Sequence, residues 1–142
     1  ETSSWNWATA ETFIGSLTEK KPTFRVGHEV VLKLAISGEI PAEMIAPHFS
    51  KKLPEYEISA KVPSLTWLRN PNQISEFRNL FLATLAHIRG AFGMKCRVNL
   101  FPAIPAPIAI EFGRCLLTKV EPNLGIFDFN RDRQEYYLAM EM

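Results

Sequence analysis

The chain has 142 residues, enough for one domain with a real hydrophobic core. Hydrophobic residues at 46% and charged residues at 22% are ordinary for a soluble globular protein. A formal net charge of +1 leaves no electrostatic footprint for long duplex nucleic acid, and no apolar run approaches the roughly 20 residues that span a bilayer. The first stretch carries Trp5, Trp7, Phe13 and Ile14 among Ser and Thr and is expected to form a helix ending near Gly15 to Leu17. Lys20-Lys21-Pro22 reads as a linker, so residues 1–27 are set apart and the regular core is expected from about residue 28. Val30 to Ile36 is apolar except for Lys33 and stops at Ser37-Gly38, the pattern of a strand buried on both faces. Pro41 suits a helix start, and Pro47 keeps that helix short. Tyr56 to Val62 alternates as a second strand, stopped by Pro63.

Asn70-Pro71-Asn72-Gln73 reads as a capped helix start, with Pro71 at the first helical position and Gln73 reaching back. Ile74, Phe77, Phe81, Leu85, Ile88 and Phe92 follow at spacings of three and four, which makes this the clearest amphipathic helix; Gly93 closes it. Lys95 to Phe101 is expected as a third strand, Pro102 to Pro107 as a turn, and Ile108 to Leu117 as a third helix. Leu124 to Phe129 and Glu135 to Met140 pair as a hairpin around Asn130-Arg131-Asp132-Arg133. Alternation of this kind implies an α/β, Rossmann-like fold: a mainly parallel sheet with helices on both faces and a C-terminal β-hairpin.

Ligands of open parallel sheets sit beyond the strands' carboxyl ends. Those ends are Ser37-Gly38, Ser64 with its neighbours Pro63 and Leu65, and the turn holding Pro102, Ala103, Pro105 and Ala106. Small residues let a ligand approach the backbone. The last turn also opens a helix, whose N–H groups at Ala106, Ile108 and Ala109 would favour a phosphate. Each is equally readable as an ordinary strand-to-helix turn. Trp67 and Arg69 follow the second strand; a Trp face stacks a base and Arg pairs with phosphate, whereas the bland alternative makes Trp67 a core plug and Arg69 a solvated charge. Catalytic constellations are weak. His28, His48 and His87 lack ligand-type spacing and read as solvated or capping; Glu111 and Arg114 read as a helix-surface pair. Cys96 and Cys115 are far apart, so neither a metal site nor a disulfide framework is expected, and a reduced, cytoplasmic setting fits. No signal peptide is visible, and a chain that begins at Glu1 reads as a piece of something longer. No catalytic residue, metal or cofactor is assigned. Three functions stay open: a ligand sensor, a doubly wound nucleotide-processing enzyme, and an assembly module without its own ligand.

The run Asn99-Leu-Phe-Pro-Ala-Ile-Pro-Ala-Pro-Ile-Ala-Ile-Glu-Phe-Gly-Arg114, with Leu124-Gly-Ile-Phe-Asp-Phe and Tyr136-Tyr-Leu-Ala-Met, resembles the SAVED domain. Val31-Leu-Lys-Leu-Ala-Ile-Ser-Gly38 and the segment from Ser75-Glu-Phe-Arg78 to the next strand are similar to that family too. The resemblance implies a CARF-like sensor half-domain over residues 28–142, the carboxyl-terminal of two halves. It implies a bacterial antiviral sensor, of the CBASS or type III CRISPR kind, that binds a cyclic di-, tri- or tetranucleotide. It further implies ligand-driven homo-oligomers or filaments that activate a fused or associated effector.

Overall fold

In the computed structural model the described residues are 17–25, 27–61, 63, 71–118 and 123–141. Trp5, Trp7, Phe13, Ile14, Ser64, Trp67, Arg69 and Asn70 lie outside them, and so do the expectations placed on those residues. The elements in chain order are β1 (Leu17–Lys20), β2 (Glu29–Ala35), α1 (Ala42–Ile45, continued by a 3-10 turn Ala46–His48), β3 (Glu55–Ala60), α2 (Pro71–Phe92), β4 (Arg97–Ala103), α3 (Ala106–Thr118), β5 (Leu124–Asn130) and β6 (Glu135–Glu141).

The fold is mixed α/β, with one six-stranded sheet in the order β1-β3-β2-β4-β5-β6. β3, β2, β4 and β5 run parallel, while β1 on β3 and β6 on β5 are antiparallel. The sheet is therefore mixed where the sequence led to a mainly parallel one. The reason lies partly in Leu17–Lys20, where a helix end and a linker were expected. These residues instead pair with Lys20↔Glu57 through Leu17↔Ala60 and cover the edge of β3. Leu17 packs on the core, and Glu19 accepts a 2.8 Å hydrogen bond from the fully buried hydroxyl of Thr84 on α2.

Strand alternation divides the core in two. Val30, Leu32, Leu34 and Ile36 join Tyr56, Ile58, Val98 and Leu100 beneath Phe77, Phe81, Leu85 and Ile88 of α2 and Ile108 and Phe112 of α3. Each fully buried aromatic or aliphatic side chain contributes about 1.5–3 kcal/mol, so α2 is the main cover of the sheet. Val31, Ala35 and Phe101 belong to a second cluster with Ile45, Leu53, Phe127 and Tyr136, against which Met44 and Phe49 pack. The helix-surface reading of Glu111 does not hold. Its side chain is buried and shared between Arg78 of α2 at 3.5 Å and Arg114 at 3.7 Å, so it joins two helices. Two histidines are likewise ring contacts. His87 stands edge-on to Tyr56 at 5.6 Å and His48 edge-on to Phe127 at 5.1 Å; His28 is exposed.

A polar strap crosses the amino end of the second face. Buried Asn99 donates to Glu29 Oε2 and to the Val30 carbonyl, both at 3.1 Å, and accepts from Arg97 at 3.1 Å. Arg97 then reaches over β5 to Glu141 of β6 at 3.0 Å. It can do so because Gly125, paired with both Asn99 and Glu141, has no side chain; a methyl there would overlap Nη2 of Arg97.

Two outcomes follow for stability. Gly125→Ala pushes the guanidinium off Glu141. The lost pair is partly exposed and the strand glycine's entropy cost is relieved, so global stability changes by less than about 1 kcal/mol. The β6 amides exchange faster with solvent, as hydrogen–deuterium exchange will show. The Tyr56 hydroxyl is buried without a hydrogen-bond partner among the described residues. Tyr56→Phe is expected to stabilise the fold by about 1 kcal/mol, read as a rise of a few degrees in Tm; a fall would show that the hydroxyl has a partner.

Candidate functional site

Connections out of β2 and β4 diverge. β2 leads through α1 to β3 on one side of it, and β4 leads through α3 to β5 on the other. Adjacent parallel strands whose connections part in opposite directions leave a crevice beyond their carboxyl ends. The two ends are nonetheless tied to each other. The Ala103 carbonyl accepts from Ile36 N at 3.0 Å and from Ser37 N at 2.8 Å.

A cleft of about 770 Å³ opens there. Its floor and rim hold Ser37, Gly38 and Glu39 after β2, and Pro102, Ala103 and Ile104 at the end of β4. Pro41 and Met44 bound one side, Ala109 and Phe112 of α3 another, and β5 and β6 supply the far wall. The structure thus brings together Ser37, Gly38, Pro102 and Ala103 from the sequence reading. Pro105 is half-buried beside the cleft and does not line it. Ala106 begins α3. Pro102 and Ala103 belong to β4 and not to a turn, because Leu34↔Pro102 and Ala35↔Ala103 continue the ladder with β2. Of the three amides counted toward a phosphate site, that of Ala109 is spent on the first helical bond, to Pro105 O at 2.9 Å.

The hairpin wall was missed. It contributes Ile126, Asp128, Phe129, Arg131, Tyr136 and Met140 to the lining. Phe127 and Phe129, two apart on one strand, were a legible sign of an aromatic face. That this face meets the cleft depends on the register, and on an irregularity between Ile126 and Phe127 that shifts β6 against β5. There Phe127 stacks on Phe101 at 4.3 Å, and Tyr136 stands edge-on to Phe101 and to Phe129, each at 5.2 Å. The Asn130 side chain accepts from Asp132 N at 2.9 Å and Arg133 N at 3.0 Å, and this closes the hairpin turn and presents Arg131 to the cleft rim.

The charged groups of the lining are Glu39, Asp128 and Arg131. Asp128 is held by Phe129 N at 2.8 Å and by the Tyr137 hydroxyl at 3.3 Å. Among the described residues no carboxylate pairs with Arg131, whereas Arg133 beside it is engaged by Glu135 at 3.5 Å. The Tyr136 hydroxyl points to the Pro102 carbonyl at 3.5 Å, the outer limit of a hydrogen bond. Burial, and secondarily the charge of Asp128, pushes this phenol above the usual tyrosine range. The arrangement offers apolar and aromatic surface, backbone polar groups and one exposed guanidinium, the make-up of a site for a planar group carrying an anion. Among the described residues no cluster of His, Cys, Asp or Glu could hold a metal ion.

Comparison with known proteins adds the following. The family model described as "SMODS-associated and fused to various effectors sensor domain", SAVED, matches residues 1–142. A comparison with curated proteins gives no match. In fold the chain is similar to the Acinetobacter baumannii Cap4 SAVED/CARF-domain containing receptor with the cyclic trinucleotide 2'3'3'-cAAA, with a TM-score of 0.62 and 14% identity over 99% of this chain and 29% of that one. It is also similar to the same receptor with 3'3'3'-cAAA, with a TM-score of 0.58 and 13% identity over 99% of this chain and 30% of that one. The chain thus spans about three tenths of the length of these receptors.

The raised Tyr136 pKa has a signed consequence. An unfolded tyrosine ionises near pH 10, while the folded one keeps its proton to higher pH. The stability this contributes is present below about pH 10 and is lost as pH rises through the folded pKa. Denaturant midpoints taken on either side of about pH 10 should therefore fall less steeply with pH in Tyr136→Phe than in the parent.

Proposed function

The chain belongs to the SAVED family of sensor domains, and from that premise we propose that it binds a cyclic oligonucleotide in the cleft between the ends of β2 and β4. The observation that carries the proposal is the position of this cleft. It lies where the strand connections diverge, and its volume of about 770 Å³ gathers small residues, an aromatic wall and an arginine that no carboxylate pairs with among the described residues. The fold likeness to receptors whose structures hold cyclic trinucleotides supports the same reading.

In this reading Ser37 donates a hydroxyl hydrogen bond, and Gly38, Pro102 and Ala103 let a base or sugar approach the backbone. Arg131 carries a phosphate, the role that the sequence reading gave to Arg69. Ser64, Trp67, Arg69, Pro105 and Ala106 remain proposed as further ligand-binding residues. The domain binds and does not turn over its ligand. Binding promotes assembly with further copies and switches on an effector that is fused or associated, in a bacterial, cytoplasmic antiviral setting. The sensor unit takes in β1 as well as residues 28–142, because Leu17–Lys20 complete the sheet.

Calorimetry of the full polypeptide against 2'3'3'-cAAA, 3'3'3'-cAAA and a panel of cyclic di- and tetranucleotides should find at least one tight ligand. Arg131→Glu should weaken that ligand by about ten-fold or more, the size of a lost charged hydrogen bond. Ala103→Glu should block it by volume and repulsion. Unchanged affinity in both variants would place the ligand elsewhere.

A further inference from the structure

Lysine is almost never buried unless paired. Lys33 sits in the middle of β2, a strand with neighbours on both sides, and is 8% exposed. Its side chain shares a face with Val31 and Ala35 in the second core cluster. The ammonium lies 3.6 Å from Glu55 and 3.6 Å from Glu57 on β3, and donates to the Ile40 carbonyl at 3.3 Å. Buried ion pairs of this kind are commonly no more stabilising than an apolar residue of the same volume, so stability alone does not account for a cation here.

The third partner does. Ile40 ends the segment that follows β2, and Ser37, Gly38 and Glu39 of that segment line the cleft. Its first end is tied down where Ile36 N and Ser37 N both meet the Ala103 carbonyl. Its second end is anchored by the Ile40 side chain, buried in the second core cluster, and Lys33 fixes the backbone there through the Ile40 carbonyl. Among the described residues no other side chain hydrogen-bonds to residues 36–41. Gly38, between the two ties, has nothing within 4 Å of where a Cβ would stand, so packing does not hold it. Glu55 and Glu57 pair with the same ammonium from β3.

We infer that Lys33 is a positioning residue for the cleft: it fixes the Ser37–Glu39 wall from beneath by holding the Ile40 carbonyl, and so preorganises that wall for an anionic, base-bearing ligand. The inference rests on the reading of the cleft as a cyclic-oligonucleotide site. A loop already held in its bound shape avoids the ordering cost that a free one would meet on binding.

The test combines a measurement on the free protein with a binding measurement. In Lys33→Met, amide exchange at residues 37–40 should quicken by about ten-fold or more while α2 and β4 amides keep their parent rates. Affinity for the cyclic trinucleotide bound by the parent, 2'3'3'-cAAA or 3'3'3'-cAAA, should fall about ten-fold. Lys33→Arg, which keeps a charged donor in place, should restore both. Lys33→Gln keeps a polar group against Glu55 and Glu57 but is one bond shorter. It should reproduce the Met variant, and it decides the matter should that variant not fold. Exchange at residues 37–40 that does not change in either variant overturns the inference. So does parent-like affinity in Lys33→Met or Lys33→Gln when the parent binds. Failure of the parent to bind any cyclic trinucleotide overturns the reading of the cleft itself, and the exchange arm still reports separately whether Lys33 holds the segment.

Discussion

Parallel pairing of β2 with β4 is the constraint from which the rest of the molecule follows. Two adjacent parallel strands cannot be joined by a tight turn, so the chain must leave β2, build β3, and return over α2 before β4 can be laid down. The connections that leave β2 and β4 then have nowhere to go but apart. A gap at their carboxyl ends is therefore not an accident of loop shape. It is the place where two covers of the sheet fail to meet, and the fork of hydrogen bonds onto the Ala103 carbonyl keeps its floor closed.

What borders that gap is set by how the sheet is finished. β1 and β6 are antiparallel caps on the two edges, and both are tied in by polar groups as well as by apolar burial: Glu19 to Thr84 at one edge, Arg97 to Glu141 at the other. The partly exposed Arg97–Glu141 ion pair carries little stability by itself. The effect of both ties is on register, since each closes only when one strand position faces its partner. The β5–β6 irregularity works to the same end, because a shift of one residue in a strand exchanges the face that each side chain presents. With the observed register, Phe127 and Tyr136 pack on buried Phe101 and line the cleft, so that they are core on one side and cleft wall on the other.

Polar groups under the sheet face deserve the same reading. Asn99 and Lys33 sit on adjacent strands and on one face, at positions where the sequence alone suggests only a strand interrupted by a polar residue. Each is satisfied by several partners from elements distant in sequence, and each holds something at the edge of a concavity. Buried polar groups that find all their partners specify one arrangement more strongly than apolar packing does, because a displaced partner leaves a desolvated charge or amide behind. Family membership and fold likeness show what kind of domain this is; these local ties decide how one particular chain shapes its cleft.

The long amphipathic helix, the buried strand Val30–Ile36 and the hairpin were legible in the amino-acid sequence, because hydrophobic period and turn residues act over a few positions. Ser37-Gly38 and Pro102-Ala103 were legible as strand ends for the same reason, and so was the family, through the run from Asn99 to Arg114. The β1 edge strand was not, since a four-residue segment beside Lys21-Pro22 has no period of its own and becomes a strand only when β3 offers it an edge. Nor were the burial of Glu111 between two helices, the aromatic wall with Arg131, and the hold of Lys33 on Ile40. Each of these depends on residues far apart in sequence meeting at a fixed register and angle. Local propensity carries no information about that register; only the packing of α2 and α3 on a sheet of this strand order decides it.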